Sequence, residues 1–190
     1  MGTYGALVKL LLLTAQRLDK VVKMRWDDIS QDGIWTVPTE TREKGNIGEV
    51  RLPGLALDII KALPQIDHSP YLFPGNPRGR RHPSSDRSGP PHFNSFSENK
   101  EALLKRLPAM EPWTLHDLRR TGRSLMARAG VADNIAERVL GHRITGVQGV
   151  YNRHPYLDEK TDALQRLATL VETIINPPET TNVVELAARR

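Results

Sequence analysis

Outside one short segment, the apolar residues of this 190-residue chain recur at three- and four-residue spacing, and that periodicity confines the fold to helices around one core. Leu7, Leu10, Leu11, Leu13, Leu18 and Val21 predict a helix from Tyr4 to Val22. Leu57, Ile60 and Leu63 predict another over Leu55 to Leu63, ended by Pro64. Further helices are expected over Ser97 to Leu107, Thr114 to Ala129, Ala132 to Leu140 and Leu157 to Ile175. Each has its own punctuation. Pro108 closes the first, Thr114 caps the second with Asp117 three residues on, Gly130 and Gly141 stand where left-handed C-caps belong, and Asn176-Pro177-Pro178 stops the last. The exception lies near 34 to 53. Ile34 to Pro38 and Val50 to Pro53 are β-prone and flank a polar loop, which reads as a hairpin. The expected fold is α+β, mostly helical, with a small antiparallel sheet.

Composition narrows the chemistry. Lys and Arg number 27 against 22 Asp and Glu, a net charge of +5, so a polyanion is the partner to test. With no Cys, disulfide frameworks, thiolate zinc sites, iron-sulfur clusters and cysteine nucleophiles are excluded. The histidines at 68, 82, 92, 116, 142 and 154 show no metal-ligand spacing, and neither a phosphate-cradling Gly-x-x-x-x-Gly-Lys loop nor a Gly-x-Ser-x-Gly elbow occurs. No metal and no cofactor are expected. The longest apolar run falls well short of the ~20 residues that span a bilayer, so the expected compartment is cytoplasmic. Between Pro74 and Pro91 the chain is rich in Pro and Gly and carries Arg78, Arg80, Arg81 and Arg87 against Asp86 alone, the composition of an exposed loop.

Three constellations could carry a reaction. The first is Trp113-Thr-Leu-His116-Asp-Leu-Arg119, in which an imidazole and a permanent cation at i and i+3 share a helix face. The second is Leu140-Gly141-His142-Arg143, with Tyr151 nine residues after His142 in Val150-Tyr151-Asn152-Arg153-His154. The third is Thr14-Ala15-Gln16-Arg17, followed by Trp26-Asp27-Asp28-Ile29. Taken singly, each has a bland explanation: a capped helix start, a core histidine after a Gly cap, a half-buried tyrosine, a surface cation beside a helix dipole. Together they fit attack on phosphorus. A tyrosine hydroxyl with a pKa near ~10 needs help to act as a nucleophile at neutral pH, and two guanidinium forks plus imidazoles can hold a phosphodiester and stabilise its transition state.

In order and spacing, these residues resemble the catalytic domain of the tyrosine recombinases, the phage integrase family. The likeness is nearest to prophage and genomic-island integrases whose tyrosine sits in a Tyr-Asn-Arg-His segment, and it runs from about Leu7 to about Leu170. The resemblance implies that Arg17 is the first catalytic arginine and Lys44 the hairpin lysine that protonates the departing 5′ oxygen. It makes His116 and Arg119 the His-x-x-Arg pair, His142 the second histidine and Tyr151 the nucleophile that forms a 3′-phosphotyrosyl bond. It implies site-specific recombination of a mobile element on double-stranded DNA, in a tetramer, with a monomer possible off DNA. The organisation it implies is a catalytic domain over 1–175 and a tail over 176–190 that packs on a neighbouring protomer, with the family's N-terminal core-binding and arm-binding domains absent.

Three positions depart from the family pattern. Lys20 stands where a glutamate usually follows the first arginine by three residues, Ala15 where glycine is common, and Glu49 where a histidine is common. The alternatives are a degenerate recombinase that binds DNA without cutting it, and a helix-turn-helix protein built on residues 123 to 142. Against the latter, Ile135, Val139 and Leu140 are expected to face the core.

Overall fold

The computed structural model describes residues 2–40, 45, 47–67, 69–75, 91–143, 152 and 154–178. The chain opens with α1 (Thr3–Thr14), which buries Leu7, Leu10, Leu11 and Leu13 completely or nearly so. Each such leucine contributes roughly 2 kcal/mol of burial. The predicted helix to Val22 is in fact two. Ala15 takes the left-handed conformation at φ 51°, and α2 (Leu18–Val22) starts only after Arg17, which is its extended N-cap. The apolar spacing runs through the break because both helices bury against the same core: Val21 is as deeply buried as Leu10.

A 3₁₀ turn over Trp26–Asp28 leads into β1 (Ile34–Thr36), which pairs antiparallel with β2 (Glu49–Arg51) in the register Ile34 to Arg51, Trp35 to Val50 and Thr36 to Glu49. Trp35 and Val50 are fully buried while Thr36, Glu49 and Arg51 face water, so one face of the hairpin is core and the other solvent. Next come α3 (Gly54–Lys61) and, after the proline-rich stretch, α4 (Phe96–Leu104), which has no buried residue.

The C-terminal half follows its punctuation closely. α5 (Leu115–Arg128) begins in a capping box, with the Thr114 amide and hydroxyl both donating to Asp117 Oδ2 at 2.8 and 2.7 Å. These bonds, with another from Arg120, hold the Asp117 carboxyl below its ordinary range. Gly130 and Gly141 have φ of 77° and 66°, ending α5 and α6 (Asp133–Val139) as the sequence predicts. α6 is core-directed, with Ala136 and Val139 fully buried. Finally α7 (Leu157–Ile175) lays Ala163, Leu164, Leu167, Ala168 and Val171 into the core.

One contact fixes the site. α5 crosses the end of α1 at Gly122, where a Cβ would stand 3.0 Å from the Ala15 Cβ and 3.1 Å from the Leu12 carbonyl oxygen. Only a residue without a side chain lets the two backbones approach this closely.

Candidate active site

The left-handed residue at the end of α1 turns the chain so that Ala15 and Gln16 meet α5 and α6. Thr14 bonds back to the Leu10 carbonyl, and the buried Gln16 amide donates to the carbonyls of Thr14 and Val139 at 3.2 and 2.5 Å. The Ala15 carbonyl accepts a 2.8 Å bond from Arg119 Nη1. Arg119 is 6% exposed. Its Nη2 donates to the Leu140 carbonyl at 2.8 Å and lies 3.0 Å from His142 Nε2.

That last contact sets the histidine tautomer. A guanidinium has donors only, so His142 Nε2 accepts and the neutral ring carries its proton on Nδ1. Nδ1 faces Glu137 Oε2 at 2.5 Å, and Glu137 Oε1 takes a bond from Arg123 Nε at 3.1 Å, while Arg123 reaches Asp133 at 2.7 Å. Burial works to raise the Glu137 carboxyl, but the bonds from His142 and Arg123 outweigh it and hold the group below its ordinary value.

Electrostatics bring Arg17 into the same place. Burial first, and then the positive charge of Arg17, push the Arg119 guanidinium down to about 10, with Glu137 pulling the other way. It stays a cation at neutral pH. Two guanidiniums near enough for one charge to act on the other, with an imidazole against the second, are groups that can coordinate an oxyanion. His116, three residues before Arg119 on α5, is exposed.

On the other side, the hairpin comes up against the His142 turn. A Cβ on Gly45 would lie 2.6 Å from the Gly141 carbonyl oxygen and 2.8 Å from the Arg143 amide nitrogen, so backbone meets backbone there. Past the proposed nucleophile, Asn152 Nδ2 donates to the Tyr156 hydroxyl at 2.5 Å, the His154 and Tyr156 rings meet edge to face at 4.7 Å, and Arg138 stacks on Tyr156 at 3.8 Å. A cavity of about 420 Å³ opens between Arg138, His142, His154 and Lys160.

Of the six residues singled out in the sequence, the structure brings Arg119 and His142 into contact, puts the exposed Arg17 near enough for its charge to act on Arg119, and leaves His116 exposed on α5. Lys44 and Tyr151 lie outside the described residues, as do the bulk of the arginine-rich loop and the tail from 179.

The model of the phage integrase family matches residues 3–157. The chain belongs to the phage integrase family. It is 24% identical over 174 residues to prophage integrase IntZ of Escherichia coli K12, a match covering 88% of this chain but 39% of that protein. The fold is shared with the integrase from mycobacterium phage Brujita, at TM-score 0.59 and 18% identity, covering 87% of this chain and 51% of that one. It is shared too with the Tn1549 transposon integrase, solved as residues 82–397 with circular-intermediate DNA, at TM-score 0.53 and 15% identity over 83% and 56% of the two chains. This integrase chain therefore spans about half the length, or less, of the relatives it matches.

Two departures from the family pattern gain a physical description. Ala15, where the family often has glycine, is the left-handed residue, the conformation glycine adopts without cost. Lys20, where the family usually has glutamate, is 8% exposed and its ammonium donates to the Pro38 carbonyl at 2.6 Å, toward the end of β1. A carboxylate from α6, Glu137, stands against His142. Sequence reading missed Glu137, Arg123 and Lys160. Glu137 and His142 are five residues apart across a glycine cap, a spacing that matches no helical face and becomes a contact only through the turn. Among the described residues there is no group of three or more acids, histidines or cysteines fit to hold a metal ion, and no helix long and apolar enough to cross a membrane.

Proposed function

We propose that this chain is the catalytic part of a site-specific DNA recombinase that integrates or excises a mobile element. The observation that supports it most is the convergence of Arg17, Arg119 and His142, carried on three separate elements, beside the docked hairpin. In this reading the two guanidiniums clasp the nonbridging oxygens of one phosphodiester. His116 takes the proton of Tyr151, whose oxygen attacks phosphorus, and the P–O5′ bond breaks as Lys44 gives a proton to the leaving oxygen. The 3′-phosphotyrosyl bond keeps the energy of the broken link, so a 5′ hydroxyl from a second strand attacks it, restores a phosphodiester and returns the proton to the tyrosine. His142 Nε2 accepts from Arg119 in the free protein; toward a phosphate oxygen, itself an acceptor, it serves only as an N–H donor. The catalytic unit covers 1–175, works as a tetramer on two duplexes, and uses neither metal nor cofactor.

Covalent capture tests this. Incubated with nicked duplexes and denatured in detergent, the protein is expected to give a DNA-shifted band that Tyr151→Phe lacks. No band from folded protein overturns cleavage and leaves the second reading, a recombinase relative that binds DNA without cutting it. Lys20 at the usual glutamate position is what favours that reading.

A further inference from the structure

Lys160 is a buried lysine that the mechanism above does not use. It is 3% exposed, one turn into α7, and its ammonium donates to the carbonyls of Ile47 and Glu49, each at 2.6 Å and more than a hundred residues away in sequence. Burial depresses its pKa, with Glu49 offsetting part of that and Arg138 adding to it. A desolvated ammonium is costly, and an apolar side chain of the same length would fill the space without that cost. What the charge adds is a fixed position for two backbone carbonyls. They belong to the stretch that begins three residues after Lys44 and includes the start of β2. Gly45, one residue after Lys44, is meanwhile wedged against the backbone of Gly141 to Arg143.

We infer that Lys160 is a positioning residue for leaving-group protonation: it ties the helix that follows the tyrosine segment to the hairpin stem that follows Lys44. The inference rests on the recombinase reading. The hairpin has two anchors: Gly45 meets the His142 turn, while Lys160 holds residues 47 to 49 from α7. A hairpin released from α7 keeps the Arg119–His142 receptor and loses the aim of its lysine.

The test compares two nicked duplexes that differ in one atom, an ordinary phosphodiester and one with sulfur in place of the bridging 5′ oxygen. A thiolate leaves without a proton, so the second substrate does not need the lysine at all. Lys160→Met is expected to slow adduct formation on the ordinary duplex by about 10- to 100-fold, the cost of a misplaced catalytic group, and on the sulfur duplex by less than about twofold. Tyr151→Phe abolishes both. Lys160→Gln keeps donors for the carbonyls without the charge; it is expected to lose less on the ordinary duplex with the same sparing by sulfur, and it carries the comparison where the Met variant does not fold. Equal losses on the two substrates reduce Lys160 to a structural residue and overturn the inference, as does no loss on either. Absence of any Tyr151-dependent adduct from the unmodified protein overturns the recombinase reading instead, and is told apart because then even the sulfur duplex does not react.

Discussion

Two buried cations hold this molecule's functional face together, and they are used in opposite ways. Arg119 joins the end of α1 to the end of α6 through the carbonyls of Ala15 and Leu140; Lys160 joins α7 to the hairpin through the carbonyls of Ile47 and Glu49. Both are depressed by desolvation, and both direct their donors to backbone oxygen. The difference lies in the second largest influence on each. Around Arg119 it is the like charge of Arg17, which worsens the cost of burial, whereas around Lys160 it is Glu49, which eases it. On the recombinase reading, this repulsion belongs to a site that takes a phosphate, whose negative charge relieves it. At Lys160 the like charge of Arg138 ranks behind Glu49, and its carbonyl acceptors are already in place.

The largest effect separates the two cations by geometry. Arg119→Lys keeps a charge but loses the planar fork that reaches the Ala15 and Leu140 carbonyls and His142 together. Single-turnover adduct formation is expected to fall by about 10³-fold, while the corresponding loss at Lys160 stays within about 100-fold. A reversed order breaks the assignment of Arg119 to the phosphate and of Lys160 to the scaffold.

Glu137→Gln comes next. It leaves an acceptor for His142 Nδ1 and removes the charge that faces His142 and Arg123, so adduct formation is expected to fall about 10- to 100-fold, the usual cost of losing an orienting carboxylate. Stability gives a second reading with a definite sign. The folded carboxyl is held below its ordinary 4.5, so its contribution is fully present above that value and is lost as pH falls through the folded pKa. Denaturant melts of the two proteins should differ by a constant amount between about pH 5.5 and 7. The gap should close in acid. A gap that widens in acid removes Glu137 from the network.

The parts of this network that local chemistry dictates were readable from sequence, and the parts that depend on distant partners were not. The Thr114–Asp117 box, the glycine stops at 130 and 141 and the bounds of α7 need only neighbours in the chain, and the structure has them where the spacing puts them. The break at Ala15 could not be seen, because apolar spacing continues across it and the reasons for it come from α5 and α6: the Arg119 bond to the Ala15 carbonyl and the Gln16 bond to Val139. Lys160 reads as a solvated lysine on an amphipathic helix until the hairpin covers it. The candidate site was legible as a joint pattern of arginine and histidine at family spacing, in the order Arg17, Arg119, His142; of these, Arg119 and His142 meet.

The smallest effect bears on the seat of Arg119 alone. Gly122→Ala sets a Cβ 3.0 Å from that of Ala15 and 3.1 Å from the Leu12 carbonyl, and should destabilise by about 1 to 3 kcal/mol while shifting the very carbonyl Arg119 uses. Ala15→Gly works in the other direction. It relieves a left-handed alanine, worth about 1 to 2 kcal/mol, but frees the unfolded chain by about 0.4 to 1 kcal/mol and loses a buried methyl worth about 0.8 kcal/mol. The net change on its own is therefore expected to lie within about 1 kcal/mol of zero. The double variant is the informative protein. With the Ala15 methyl gone, the one tight contact left among the new Cβ's nearest neighbours is the Leu12 oxygen, the Ala15 Cα lying at an ordinary 3.6 Å, so the pair should be more stable than the sum of the single changes by at least about 0.5 kcal/mol in a denaturant cycle. Strict additivity would mean that the helices simply part, and that Arg119, rather than the Ala15–Gly122 contact, sets the distance between them.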